Sequence, residues 1–480
     1  MEHQRKLFQQ RGYSEDLLPK TQSQRTWKTF NYFTLWMGSV HNVPNYVMVG
    51  GFFILGLSTF SIMLAIILSA FFIAAVMVLN GAAGSKYGVP FAMILRASYG
   101  VRGALFPGLL RGGIAAIMWF GLQCYAGSLA CLILIGKIWP GFLTLGGDFT
   151  LLGLSLPGLI TFLLFWLVNV GIGFGGGKVL NKFTAILNPC IYIVFGGMAI
   201  WAISLVGIGP IFDYIPSGIQ KAENSGFLFL VVINAVVAVW AAPAVSASDF
   251  TQNAHSFREQ ALGLVVAYIL FAVAGVCIIA GASIHYGADT WNVLDIVQRW
   301  DSLFASFFAV LVILMTTIST NATGNIIPAG YQIAAIAPTK LTYKNGVLIA
   351  SIISLLICPW KLMENQDSIY LFLDIIGGML GPVIGVMMAH YFVVMRGQIN
   401  LDELYTAPGD YKYYDNGFNL TAFSVTLVAV ILSLGGKFIP FMEPLSRVSW
   451  FVGVIVAFAA YALLKKHTTA EKTGEQKTIG

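Results

Sequence analysis

Three observations predict an all-α polytopic membrane protein with twelve transmembrane helices. The first is composition: the 480 residues are 57% hydrophobic and only 10% charged, against about 25% charge in a soluble globular chain, and the mean hydropathy is +0.79. The second is that apolar runs near the roughly 20 residues a bilayer requires recur at about 30–56, 58–82, 104–136, 155–174, 182–207, 227–248, 260–284, 302–326, 344–360, 368–395, 417–436 and 446–465. The third is charge placement. With the N-terminus in the cytoplasm, 20 of the 27 Lys and Arg fall in the N-terminal tail, the even-numbered loops and the C-terminal tail. Six fall in external loops, and Arg111 lies within span three. That is a positive-inside bias, which reads the net charge of +6 as topology and argues against a nucleic-acid partner. Both termini are expected in the cytoplasm, at residues 1–29 and 466–480.

Span one carries His41-Asn42-Val43-Pro44-Asn45 in its middle. Pro44 lacks an amide hydrogen and clashes with the preceding turn, so a continuous helix is not expected there. A break inside hydrocarbon is tolerated only where it is buried in protein or lines a wet cavity. Span six repeats the peculiarity: Trp240 is followed by Ala241-Ala242-Pro243 and a small-residue run to Asp249. Interrupted helices at corresponding positions of two halves point to a transporter's binding site. The predicted architecture is a 5+5 inverted repeat with spans one and six broken, the halves being 30–207 and 227–395. Spans eleven and twelve (417–465) are appended.

Span three places Trp119 and Gln123 four residues apart, on one helical face. Trp119 lies too deep for an interfacial belt residue. An indole beside a carboxamide offers a stacking surface with a donor and an acceptor at its edge, suited to a flat neutral heterocycle with amide or ureido groups. Trp240 can supply the opposing face, and Asn42 and Asn325 further amides. In span eight Thr316, Ser319, Thr320 and Thr323 recur at three and four residues, so they share a face. Hydroxyls and carbonyls there suit a small hard cation such as sodium, and close packing of small residues is the rival reading. Asp374 in span ten is an intramembrane acid, and His41 could carry a proton, though a lone buried histidine is more often structural.

Other patterns carry less. The cysteines at 124, 131, 190, 277 and 358 form neither CxxC nor Cys/His spacings, so neither a disulfide framework nor a zinc site is expected. The first 28 residues lack the apolar core of a signal peptide. Gly171–Gly177 has no strand before it, so it fails as a dinucleotide loop. No nucleophile–base pair or paired carboxylates share a depth, and an enzyme is not expected.

The run Asn80–Gly100, NGAAGSKYGVPFAMILRASYG, resembles the signature between the second and third helices of the nucleobase–cation symporter-1 family. The likeness extends over essentially the whole chain, and within the family it is greatest to bacterial allantoin permeases. The resemblance implies cation-coupled alternating access and import of allantoin or a related hydantoin or ureido heterocycle, with nucleobase uptake as the alternative. It also implies a monomer in the cytoplasmic membrane that needs no cofactor beyond a coupling ion. Carried over residue by residue, the substrate contacts are Trp119, Gln123, Trp240, Asn325 and Asn42. The sodium ligands are Gly38, His41, Thr316, Ser319 and Thr320. Thr316 stands where a smaller residue is usual and a histidine occupies the helix-one position, which keeps proton coupling as an alternative.

Overall fold

The computed structural model describes the backbone of residues 2–254, 256, 259–287, 292–363, 366–406 and 414–478. Side chains at 178, 181, 363, 366–370, 373, 374, 415 and 466–478 lie outside the description. Asp374 is among them.

Eight helices among the described residues are long and apolar enough to cross a membrane: Thr59–Asn80, Leu105–Ile138, Leu156–Gly177, Lys182–Val206, Glu259–Tyr286, Leu303–Ile336, Ile375–Val394 and Leu420–Lys437. A ninth passes if Pro440–Ser446 and Ser449–Lys465, bent by 86°, count as one span. The other three expected spans consist of shorter helices. Span one is Thr29–Val40 followed by Val43–Phe52. Span six is Ser225–Val239 followed by Ala241–Val245, and span nine is Tyr343–Leu356. Spans four and five run on through a kink at Gly176, whose φ of 59° a side chain would disfavour.

The packing obeys an exchange of halves. Span one packs on seven and five, as span six packs on two and ten. Three packs on four as eight packs on nine, while the pairs two–seven and three–eight map onto themselves. The irregularities follow the same exchange. A π-helical turn interrupts span three at Leu109–Ala115 and its counterpart eight at Ala322–Ile326. Another interrupts five at Tyr192–Gly196, and a fourth ends its counterpart ten at His390–Val394. Such turns widen the helix and free backbone groups, and they recur at functional sites. Spans eleven and twelve pack on ten, outside this arrangement.

The N-terminal segment is an ordered strap across one face. Helix Glu2–Gln10 buries Phe8, which stacks on Tyr405 with ring centroids 4.3 Å apart. Arg11 donates to the Tyr405 carbonyl (2.7 Å) and the Tyr13 hydroxyl to that of Thr406 (2.9 Å). The Lys20 amide donates to the Gly88 carbonyl (2.8 Å), Arg25 to the Ser85 carbonyl (2.8 Å), and the Trp27 amide to the Asn253 carbonyl (2.9 Å). The strap therefore touches the loops after spans two, six and ten, which places these even-numbered loops and the N-terminus on one side.

Candidate substrate and cation site

The break in span one is built by Asn42. Its Oδ1 accepts from the Asn45 amide at 3.1 Å and caps the second half-helix, and its Nδ2 donates to the Ser39 carbonyl at 2.8 Å. Pro44 falls in the first turn of that half-helix, where its missing N–H leaves no bond unmade. Asn45 closes the joint by donating from its side chain to the Val40 carbonyl at 2.8 Å. The break is thus satisfied from within, as a mid-membrane interruption must be. In span six the helix stops at Trp240 (φ −94°, ψ 4°) and resumes with Pro243 in its first turn.

The two breaks face one cavity. It is lined by Ser39, Asn42 and Asn45 of span one, Trp119 and Gln123 of span three, Trp240 and Pro243 of span six, and Thr320, Thr323 and Asn325 of span eight. All five expected substrate contacts therefore meet in one place. Trp119 meets Phe372 of span ten edge-on with centroids 5.8 Å apart, so that span packs against the tryptophan beside the cavity. Trp240 is held edge-on by Trp36 (5.5 Å) and Tyr268 (5.3 Å).

The polar groups leave a directional pattern. Gln123 Nε2 points at Asn42 Oδ1 at 3.4 Å, while its Oε1 is buried with no protein partner. Asn325 donates its Nδ2 to Asn321 Oδ1 at 2.9 Å, so its Oδ1 is the group left for the cavity. The Trp240 indole N–H and the Thr323 hydroxyl also lack protein partners. A buried unpaired polar group costs about 1–3 kcal/mol, so a bound heterocycle that pairs with these atoms gains what the empty cavity forgoes. Asn42 belongs to the site differently: its polar atoms serve the break, and it reaches the cavity by orienting Gln123.

The expected cation ligands lie where span eight crosses span one. The Thr320 hydroxyl donates to the Ser39 carbonyl (2.9 Å), with the Gly38 carbonyl at 3.5 Å and its own Thr316 carbonyl at 2.9 Å. Thr316 returns its hydroxyl to the Ile313 carbonyl at 2.9 Å, which leaves its carbonyl as the group it can offer. Ser319 differs: its Oγ is buried without a protein partner. It faces Gly38 so closely that a Cβ there would lie 2.7 Å from its Oγ, so a side chain at position 38 would push this hydroxyl aside. An orphaned hydroxyl beside carbonyls at a helix break fits a hard cation. His41 turns its ring elsewhere, with Nδ1 2.9 Å from the Tyr46 hydroxyl, stacked on Phe195 at 4.6 Å and edge-on to Phe271. Only its backbone is available at the crossing.

Two further features have structural roles that the sequence reading does not give. Arg111, in the π-helical turn of span three, is completely buried. It donates to Ser246 Oγ at 3.1 Å and to the Gly324 carbonyl at 2.7 Å, tying spans three, six and eight below the cavity, within electrostatic reach of Asp249. Its position inside a span is the signal that marks it. The second is the work of the Asn80–Gly100 signature. Asn80 Nδ2 donates to the Ala244 and Val245 carbonyls (2.8 and 2.9 Å), and the Phe91 amide donates to Asp249 Oδ1 at 2.9 Å. A Cβ at Gly84 would lie 2.7 Å from Ser248 Cα. The motif is a clamp on the irregular end of span six, and its glycine permits that close approach.

Comparison with known proteins identifies the family of the chain. The family model described as "Permease for cytosine/purines, uracil, thiamine, allantoin" matches residues 19–453. An Escherichia coli (strain K12) protein named "Putative allantoin permease" is 98% identical over the full length of both chains. The "Allantoin permease" of Bacillus subtilis (strain 168) is 38% identical, with 94% of this chain and 93% of that protein aligned. Among solved structures, that of Mhp1, a nucleobase-cation-symport-1 family transporter in a closed conformation with bromovinylhydantoin bound, superposes with a TM-score of 0.75. It covers 96% of each chain at 22% identity, and an inward-facing conformation of Mhp1 gives 0.73 over 95% of this chain and 94% of that one. With a family model spanning nearly its whole length and a relative identical over most of it, this chain belongs to the cytosine/purine, uracil, thiamine and allantoin permease family.

Proposed function

We propose that the protein imports allantoin, or a closely related hydantoin or ureido heterocycle, across the cytoplasmic membrane by sodium-coupled alternating access. The observation that carries this reading is the cavity's surplus of acceptors between two tryptophans. Gln123 Oε1 and Asn325 Oδ1 face a space walled by Trp119 and Trp240. A flat, neutral, N–H-rich ring can stack on the indoles and donate to both amides, and allantoin is such a ring with a ureido arm. Among the described residues the cavity lining contains neither a cation nor an anion, which disfavours amino acids and phosphates. The names of the two allantoin permease relatives support the same substrate.

In this mechanism residues 30–207 and 227–395 act as two inverted five-helix halves that rock around the cavity, with 417–465 appended. Phe372 on span ten closes the outer side over Trp119. Arg111, the Asn80 clamp and the N-terminal strap hold the inner side, which the positive-inside bias assigns to the cytoplasm. Sodium, when bound, would supply a positive charge between the Gly38, His41 and Thr316 carbonyls and the Ser319 and Thr320 hydroxyls. Because these groups belong to spans one and eight, a bound cation would tie together two of the helices that wall the substrate cavity. Proton coupling through His41 is less favoured, since its ring is enclosed by Tyr46, Phe195 and Phe271. The protein acts as a monomer, its lipid-facing helices being its contact with the membrane.

A nucleobase such as uracil or cytosine is the second reading, favoured by the breadth of the family description. Competition by uracil, cytosine, hydantoin and allantoin against labelled allantoin on the purified protein separates the two. Allantoin and hydantoin should displace the label at the lowest concentrations; stronger displacement by uracil or cytosine would replace this substrate with a nucleobase. Recovery of chemically unaltered allantoin separates transport from catalysis.

A further inference from the structure

Behind the cavity wall, asparagines from spans four and eight form a hydrogen-bonded relay. Asn325 Nδ2 donates to Asn321 Oδ1 at 2.9 Å, and Asn321 Nδ2 donates to Asn169 Oδ1 at 3.1 Å and to the Phe120 carbonyl at 3.2 Å. Asn169 Nδ2 in turn donates to the Phe165 carbonyl at 2.8 Å. The relay is buried: Asn169 is 1% exposed, Asn321 0% and Asn325 6%. Asn169 does not line the cavity, and the proposed transport reaction gives it no direct part.

The relay has a direction. A backbone carbonyl only accepts, whereas a carboxamide presents a donor at one end and an acceptor at the other. Phe165 therefore requires the nitrogen of Asn169, which turns its oxygen towards Asn321. Asn321 must then present nitrogen to Asn169 and Phe120, which turns its oxygen towards Asn325. Asn325 must answer with nitrogen, which leaves its oxygen for the cavity. Reversing any one amide would set like atoms face to face in a buried site, where unsatisfied polar groups are most costly.

We propose that Asn169 is a positioning residue for substrate specificity. Through Asn321 it holds Asn325 as a hydrogen-bond acceptor, so that the cavity selects a ligand presenting an N–H at that point. The inference rests on the cavity being the substrate site, and it adds a determinant on span four that touches no substrate. A structural role for Asn169 would affect all ligands alike; a relay affects the choice between ligands with and without the N–H.

The test measures binding to the full-length purified protein of hydantoin and of its analogues in which each ring N–H in turn is replaced by CH2, such as succinimide. Wild type should prefer hydantoin over at least one analogue by about tenfold, the value of one hydrogen bond. Asn169→Leu should compress that ratio to about threefold or less, because Asn321 Nδ2 is then held only by its longer contacts to the Phe120 carbonyl (3.2 Å) and Cys124 Sγ (3.3 Å) and the Asn325 amide turns more readily. Asn169→Asp, whose neutral carboxylic acid can reproduce both bonds, should preserve it, and thermal melting of each variant confirms a folded protein. Asn321→Leu should compress the ratio similarly, with little further loss in the double variant. An unchanged ratio in folded Asn169→Leu, or a uniform weakening of every ligand, overturns the relay while leaving the substrate site intact. Failure of wild type to bind both hydantoin and allantoin would instead overturn the site assignment, and the relay's role with it.

Discussion

Replacing Trp119 with alanine removes one wall of the cavity and little else. The indole is 8% exposed, lines the cavity, and among the described residues has a single aromatic neighbour in Phe372. A planar base stacked on an aromatic side chain contributes about 1–3 kcal/mol by alanine substitution, and each 1.4 kcal/mol is tenfold in affinity. Trp119→Ala should therefore weaken allantoin binding by between about 5- and 150-fold, while Trp119→Phe, which keeps a ring in place, should stay within about fivefold. Scintillation proximity binding on purified protein, with size-exclusion profiles of each variant, measures this directly. Trp240 is a less clean probe because Trp36 and Tyr268 pack on it, so its loss disturbs the fold as well. A folded Trp119→Ala protein with wild-type affinity would refute the stacking argument and the assignment of the cavity.

Three further predictions test the surrounding machinery. Ser319→Ala should leave thermal stability unchanged, because its hydroxyl has no protein partner, yet lower sodium affinity at least tenfold; Thr320→Ala should lower both, losing about 1 kcal/mol with its bond to Ser39. Equal stability losses in the two variants would contradict the cation assignment. Arg111→Met should destabilise the protein by about 1–3 kcal/mol, because it leaves the buried Gly324 carbonyl and Ser246 oxygen without the guanidinium that donates to them, and Arg111→Lys, which keeps a donor there, should lose less; melting curves in detergent decide this. Tyr13→Phe, which breaks the hydroxyl's bonds to Thr406 and Arg96, should loosen the strap and speed cytoplasmic-side proteolysis of the segment before Trp27, and an unchanged rate would show that the strap does not depend on it.

What was legible in the sequence was whatever follows from local chemistry. Pro44 and Pro243 marked both breaks, and the asparagine two residues before Pro44 is the residue type expected to cap a helix there. Trp119 and Gln123 were found from helical spacing alone, and the hydroxyl face of span eight from its three–four repeat. Spatial coincidence between distant segments was not legible. The Asn169–Asn321 bond joins residues whose separation along the chain carries no pattern, and single asparagines in apolar spans read as isolated polar groups. The strap was hidden for the opposite reason: its polar composition suggests a solvated tail, although Phe8, Leu17 and Leu18 are fully or almost fully buried. The π-helical turns arise from tertiary fit and have no residue signature in this chain. The span count reads shorter by length because the breaks divide spans one and six into pieces that each fail to span, and span nine is a single helix of 14 residues.

Initial uptake of labelled allantoin into proteoliposomes, with and without an inward sodium gradient at fixed pH, tests the central claim most directly. The account predicts saturable uptake that the sodium gradient stimulates and that Ser319→Ala uncouples from sodium. Saturable uptake indifferent to sodium would contradict the cation site and leave the substrate cavity standing, whereas no allantoin uptake under either condition would contradict the account at its centre.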